Sequence, residues 1–236
     1  MITVDFKRLD IKPGCRILDA GCGSGRHACE FYRHKDVFVT GVDIKFDDAA
    51  KAKQNLIFHD DIGEAGGGAW IVASADITML PFPDNFFDIA ICSEVMEHVP
   101  DEKKAVSEIA RVLKHGGDMV VSVPRYLPEK ICWLLSDEYH GASGGHIRIY
   151  KKKRIRSLFA EAGFCERSFH FAHSLHAPYW WLKCLPGPNM DEFFITKLYH
   201  RFLVWEMMKK PQVFRLFDFF LNPVMGKSLV LYFKKK

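Results

Sequence analysis

Ile17-Leu-Asp-Ala-Gly-Cys-Gly-Ser-Gly-Arg-His27 is the stretch whose reading decides this chain. An apolar pair ending in Asp19 has the form of the carboxyl end of a buried strand, and Gly21, Gly23 and Gly25 form a tight turn against whose bare backbone a ligand can lie. The spacing then selects among nucleotide-like ligands. A dinucleotide site reads G-x-G-x-x-G, whereas here Arg26 holds the last position and the pattern is G-x-G-x-G. A phosphate-binding loop ends in Gly-Lys-Ser or Gly-Lys-Thr. Gly226-Lys227-Ser228 supplies such a triplet, but Leu221 stands where the first glycine belongs and an apolar run follows where a helix should start. An acid directly ahead of the turn would repel pyrophosphate but suits a cationic or zwitterionic ligand, whose amino group it can hold.

Outward from this turn, strands at about 16–20, 37–43, 70–75, 88–93 and 118–124 alternate with helices at about 24–33, 46–55 and 101–114. That alternation predicts a mostly parallel sheet with right-handed crossovers. In such sheets the ligand lies beyond the carboxyl ends of the strands, and Asp19, Asp43, Asp76 and the segment from Ser93 to Glu97 fall at such ends. Lys151 to Ala162 carries Ile155, Leu158, Phe159 and Ala162 at helical spacing and stops at Gly163. Phe164 to Phe171 and Ser228 to Phe233 read as strands.

Residues 172–226 between them read as an insertion crowded with aromatics. From Pro211, Val213, Phe214, Leu216, Phe217, Phe220 and Leu221 share one helical side, with Gln212, Arg215 and Asp218 opposite. A helical cap packed on the sheet is the plain reading, and a wall of a substrate pocket overlaps with it. A homodimer face and a peripheral membrane contact are the alternatives, the latter drawing on Lys209, Lys210 and Lys234 to Lys236.

With 236 residues, 48% hydrophobic and 14% aromatic, the chain is expected to form a single domain, 1–236, with 172–226 as an insertion within it. No secretory leader is expected, since the amino-terminal residues lack a charged segment followed by an apolar one, and no apolar run reaches the ~18–20 residues that span a bilayer. Seven cysteines, mostly in apolar segments, fit reduced thiols and a cytoplasmic location. Cys15, Cys22 and Cys29 straddle a strand, a turn and a helix with no paired metal-ligand spacing, so no metal is expected.

Asp19-Ala-Gly-Cys-Gly-Ser-Gly25 resembles the first motif of class I S-adenosylmethionine-dependent methyltransferases. Thr40-Gly-Val-Asp43, Ser74-Ala-Asp76, Leu80-Pro-Phe-Pro-Asp84, Ser93-Glu-Val-Met-Glu-His98 and Leu113-Lys-His-Gly-Gly117 agree in order and spacing, over roughly residues 10–165. The chain is most similar to the branch that includes ubiquinone- and menaquinone-biosynthesis methyltransferases, which share the Leu-Pro-Phe-Pro-Asp and Glu-His-Val-Pro-Asp phrases. The resemblance implies an α/β, Rossmann-like, doubly wound fold. Its seven-stranded sheet would be mostly parallel, with the last strand antiparallel after a helical insertion. It also implies S-adenosylmethionine as cofactor and S-adenosylhomocysteine as product. Asp19 would sit by the cofactor's amino group, and Gly21, Cys22, Gly23, Gly25 and Ser93 would line its methionine portion. Asp43, close to the ~20-residue interval at which an acid meets a ribose, would accept both ribose hydroxyls. Asp76 would accept from the adenine amino group, with Ile44 and Ile77 against the ring faces.

Methyl transfer from a sulfonium asks the protein to align the acceptor, exclude water and remove a proton when the acceptor is a hydroxyl. Glu97, His98 and His146 are the catalytic candidates, an imidazole having a suitable pKa for a base. Glu97-His-Val-Pro-Asp101 also reads as a turn that begins the next helix, with Asp101 as its cap. His140, Arg148 and Tyr150 flank a Gly-rich segment that could act as a lid. Arg148 either contacts substrate or clamps loop carbonyls. Tyr179 and Trp180 are the substrate-binding candidates of the insertion, since the acceptor pocket is expected to be closed by 125–150 and 172–226. The leading reading is methyl transfer to a hydroxyl oxygen of a small, fairly apolar acceptor. The alternatives are C-methylation of a lipid or quinone-like acceptor, a nucleic-acid or protein substrate, and a non-catalytic cofactor-binding module. No basic-aromatic stripe supports nucleic acid.

Overall fold

The apolar runs become seven strands: β1 (Arg16–Ala20), β2 (Phe38–Asp43), β3 (Ala69–Ser74), β4 (Phe87–Ser93), β5 (Leu113–Pro124), β6 (Phe164–Ala172) and β7 (Ser228–Lys235). The computed structural model describes residues 2–141, 145–185, 193–209 and 211–236. The strands lie in the order β3-β2-β1-β4-β5-β7-β6, all parallel except β7, which runs antiparallel to both neighbours. Chain order reverses between β1 and β4, so the crevice for a ligand opens beyond their carboxyl ends.

Helices α1 (Arg26–Tyr32), α2 (Phe46–Asp61), α3 (Glu102–Val112), α4 (Tyr126–Leu135), α5 (Asp137–Gly141) and α6 (Lys152–Glu161) cover the sheet. Alternate strand residues feed opposite layers. Leu18, Ala90, Val121 and Leu231 pack with Ile109 and Phe159 on one face, and Ile17, Ile89, Val120 and Val230 pack with Phe31 and Leu56 on the other. Asp101 caps α3 by accepting from the Lys104 N–H at 3.0 Å, so the Glu97–Asp101 phrase does open that helix. The helix expected to reach 114 ends at Val112, because Leu113 pairs with Phe87 before the register shifts, and Gly116, at φ 70°, turns the chain within that irregularity.

Between β6 and β7 stand α7 (His176–Lys183), α8 (Phe194–Lys209) and α9 (Gln212–Met225). α7 packs against α4 and α8, and α9 against β6. The apolar side of α9 packs inward only in part, through the half-buried Phe214, which meets the Phe202 and Trp205 rings of α8, and the half-buried Leu221. Asp218 and Asn222 face the sheet domain, where their side-chain oxygens accept from the Ser174 hydroxyl at 2.5 Å and the Ser174 N–H at 2.9 Å, while Val213, Leu216, Phe217 and Phe220 are exposed. Among the described residues, no helix is long and apolar enough to cross a membrane.

Candidate active site

The glycine turn is fixed to the neighbouring strand. Gly21 and Cys22 both donate their N–H to the Val42 carbonyl, at 2.8 and 2.9 Å. Gly21 sits at φ +77°, and a Cβ there would fall 2.3 Å from Val95 Cγ2, so any larger residue would push the turn off the strand. Gly23, at φ +53°, has nothing within 4 Å of where its Cβ would lie and presents open backbone to the crevice. Asp43, at the end of β2, accepts from the Gly23 N–H through Oδ2 (2.8 Å) and from the Lys45 N–H through Oδ1 (2.9 Å), which leaves each oxygen a further lone pair. Asp19 is 1% exposed and accepts from the Ala28 N–H at 3.0 Å. Burial, only partly offset by that bond and by Arg26, pushes its carboxyl up to about 7.

Asp76 is exposed and folds one oxygen back onto the Thr78 N–H at 2.8 Å. Ile77 departs from the expected place at the adenine ring: it is 6% exposed and belongs to the core cluster. Ile44, Phe46 and Met79, by contrast, stand exposed after β2 and β3. Open turn backbone, a buried acid, a carboxylate with spare acceptors and an exposed apolar shelf fit a molecule made of an amino-acid tail, a ribose and a flat base.

Next to this rim lies a cavity of about 240 Å³ whose lining includes Glu94, Glu97, His98, His146, Trp180 and Lys227. Ser93 and Thr3 close it on the side of the strands, their hydroxyls 2.8 Å apart, and Ser93 also meets the Ser122 hydroxyl at 2.8 Å. Tyr139 from α5 and Trp180 from α7 wall it, so the segments 125–150 and 172–226 both reach the cavity.

Three helical and loop segments bring carboxylates and imidazoles together here. His146 Nδ1 lies 2.5 Å from Glu129 Oε1, and its Nε2 lies 4.0 Å from Glu97 Oε1. Burial pushes the Glu129 carboxyl up, but its bond to His146 and the charge of Lys227 outweigh this and hold it below the usual range. Glu97 is 1% exposed, and neither of its oxygens has a hydrogen-bond partner among the described residues. Burial and the neighbouring carboxylates Glu94 and Glu129 push it well above the ordinary carboxylate range. His98 places Nδ1 3.1 Å from the Gly145 carbonyl, and burial lowers its pKa. Ligand atoms of Glu97, His98 and His146 lie within 4.8 Å of one another, and a carboxylate with two imidazoles is a donor set that could hold a divalent cation, a juxtaposition no sequence spacing announces. The seven cysteines are all free.

The site candidates thus divide. Glu97, His98, His146 and Trp180 share the cavity; Arg148 and Tyr150 do not. Arg148 donates to the carbonyls of Met96 (3.1 Å), Val99 and Pro100 (2.9 Å), the clamp that the sequence left open as an alternative to substrate contact. Tyr150 is 2% exposed and its hydroxyl is engaged by Glu102 at 2.5 Å and the Met96 carbonyl at 3.2 Å, so it braces the same turn rather than a substrate. Tyr179 stacks on Tyr199, with ring centroids 6.3 Å apart, and is not among the cavity's lining. The His140 side chain lies outside the described residues, as do residues 142–144 of the expected lid. Sequence reasoning missed Thr3, Glu129, Tyr139 and Lys227. Lys227, seen there only as part of a failed phosphate loop, sits 4.1 Å over the Trp180 ring.

The methyltransferase domain family matches residues 18–121, the span from β1 through most of β5. Sterol 24-C-methyltransferase ERG6B of Gibberella zeae is 34% identical over 169 residues, covering 72% of this chain and 39% of that protein. The 27-O-demethylrifamycin SV methyltransferase of Amycolatopsis mediterranei is 32% identical over 113 residues, covering 48% of this chain and 40% of that one. The chain belongs to the class I S-adenosylmethionine-dependent methyltransferases. S-adenosylmethionine is accordingly its cofactor. This methyltransferase spans about two fifths of the length of those two curated relatives. Among solved structures, a putative methyltransferase of Bacillus halodurans superimposes with a TM-score of 0.63 at 19% identity, over 98% of this chain and 96% of that one. The [4+2]-cyclase SpnF gives 0.63 at 20% identity, over 98% and 77%. Those two likenesses speak to the fold alone, and the second shows that the methyltransferase fold carries other chemistry as well.

Proposed function

We propose that this methyltransferase transfers the methyl group of S-adenosylmethionine to a hydroxyl oxygen of a small, fairly apolar acceptor held in the 240 Å³ cavity. The observation that carries this reading is the Glu129–His146 pair, 2.5 Å apart, of which His146 lines that cavity. Glu129 accepts the Nδ1–H and leaves the Nε2 lone pair facing the acceptor. Nε2 takes the hydroxyl proton, and the Glu129 carboxylate stabilises the imidazolium that forms. Glu97, kept neutral by burial, offers its own O–H to orient the acceptor oxygen. The bound cofactor supplies an already activated methyl group on sulfur. Trp180 and Tyr139 exclude water and favour an acceptor with apolar rings or chains.

The test is a turnover assay with isotope-labelled S-adenosylmethionine and a panel of phenolic, quinol and sterol acceptors, with the methylated atom located by mass spectrometry. With a competent acceptor, His146→Gln and Glu129→Gln should each lower kcat by about 10²–10⁴-fold, the range of general base catalysis. Cofactor affinity should stay unchanged. Unaltered kcat in both variants would overturn the assignment. Methyl transfer to carbon of a lipid or quinone-like acceptor is the second reading, favoured by the similarity to the protein named sterol 24-C-methyltransferase. A label found on carbon decides for it.

A further inference from the structure

Helix α9 turns its apolar stripe to solvent. Val213, Leu216, Phe217, Phe220 and Val224 follow the i, i+3, i+4, i+7, i+11 spacing of a single face and are 61, 59, 51, 65 and 69% exposed. No described side chain of α9 is buried, and the helix is held to the domain from its other side by Asp218 and Asn222 on Ser174. α8 repeats the pattern. Phe194, Leu198, Trp205 and Met208 are exposed along one of its faces, with Lys197 and Arg201 exposed at positions between them and Lys209 beside them.

A monomer in water rarely leaves so large a contiguous apolar surface open. The charges on it select the occupant. The two described acids of these helices are withdrawn from it in different ways: Asp218 is spent on Ser174, and Glu206 is half-buried, with burial raising its pKa. The exposed face is therefore apolar and cationic. A second copy seated by a two-fold axis would present the same patch, with no free carboxylate for Lys197 and Arg201 to meet. An anionic bilayer supplies both an apolar layer for the stripes and phosphate or carboxylate groups for the cations. We propose that the α8–α9 face is a docking surface for an anionic lipid bilayer. The face is joined to the cavity through α7, which carries Trp180 and packs on α8. Docking itself is independent of which acceptor the cavity takes.

Co-sedimentation of the full chain with large vesicles tests this. Vesicles containing phosphatidylserine should bind the protein, and pure phosphatidylcholine vesicles should bind it more weakly, with binding to the former falling as salt rises. Phe217→Asp together with Phe220→Asp should weaken binding on the order of tenfold or more, and Lys197→Glu with Arg201→Glu should abolish the preference for phosphatidylserine. Both variants should keep wild-type affinity for S-adenosylhomocysteine by calorimetry, which shows that they fold. Quenching of tryptophan fluorescence by brominated lipid should drop in Trp205→Phe. Absence of vesicle binding by the wild-type chain would overturn the proposal. So would concentration-dependent dimerisation that the Phe217/Phe220 variant abolishes while vesicles leave the wild type in solution, a result that would give the face to a second copy.

Discussion

Both oxygens of Asp43 are held by backbone before any ligand is considered, Oδ2 by Gly23 and Oδ1 by Lys45. On the assignment we propose, in which its remaining lone pairs meet the ribose, this residue should be intolerant of truncation. Asp43→Ala is expected to raise the Kd for S-adenosylmethionine about a hundredfold or more, since bonds to a charged group contribute about 1.5–3 kcal/mol each. Titration calorimetry measures it, and an unchanged Kd would remove the carboxylate from the site. Asp19, Gly21, Gly23 and Asp43 could be picked out in the sequence because each lies within a strand-turn-helix unit whose pattern is local. Glu129, Lys227 and Thr3 were not legible. Lys227 and Thr3 line the cavity from the residue ahead of the last strand and from the segment ahead of β1, Glu129 meets His146 from α4, and nothing in their own neighbourhoods marks them. Ile77 misled for the opposite reason: its place next to Asp76 suggested the ring face, but the demand of the core for an apolar side chain there won.

Among the elements, α7 is where the insertion meets the cavity, through Trp180, which lies under the Lys227 ammonium at 4.1 Å. Trp180→Ala should raise KM for the acceptor by about tenfold, from the lost burial of one aromatic side chain, while the cofactor Kd stays within about twofold. Steady-state kinetics with both substrates varied separates the two, and an equal effect on both would argue that α7 supports the whole crevice instead. The strands and helices read from the sequence in the sheet region hold to within a few residues, except that α2 runs to Asp61 rather than 55 and β5 starts at Leu113 rather than 118; α4 and α5 were not read. The orientation of α9 was not. Periodicity reveals that an apolar stripe exists but carries no information on what covers it, and polar groups at Ser174 captured the other face.

For the molecule as a whole, buried titratable groups set how stability responds to pH. Asp19, raised from 3.8 to about 7 in the folded protein, contributes stability that is fully present below about pH 4 and is lost as pH rises toward 7. His27, His173 and His176, lowered by burial from 6.5 to about 3, 3 and 4, work in the opposite sense: their contribution is full above 6.5 and lost as pH falls. The wild type reports only the sum. Asp19→Asn isolates one part, and its urea stability relative to wild type should improve by roughly 1 kcal/mol per pH unit between about pH 4 and 7. A pH-independent difference would mean that Asp19 stays ionised in the fold.

The placement of β7 governs the order in which this molecule can be assembled. β6 is the edge strand and its one sheet neighbour is β7, so residues 164–172 cannot join the sheet until residues 228–235, made after three intervening helices, have inserted against β5. The same late strand carries Ser228, and the residue before it is Lys227, both of which line the cavity. A nascent chain can thus complete its glycine turn early, from β1 and β2, and must wait for its last strand before there is any chamber in which an acceptor could be received.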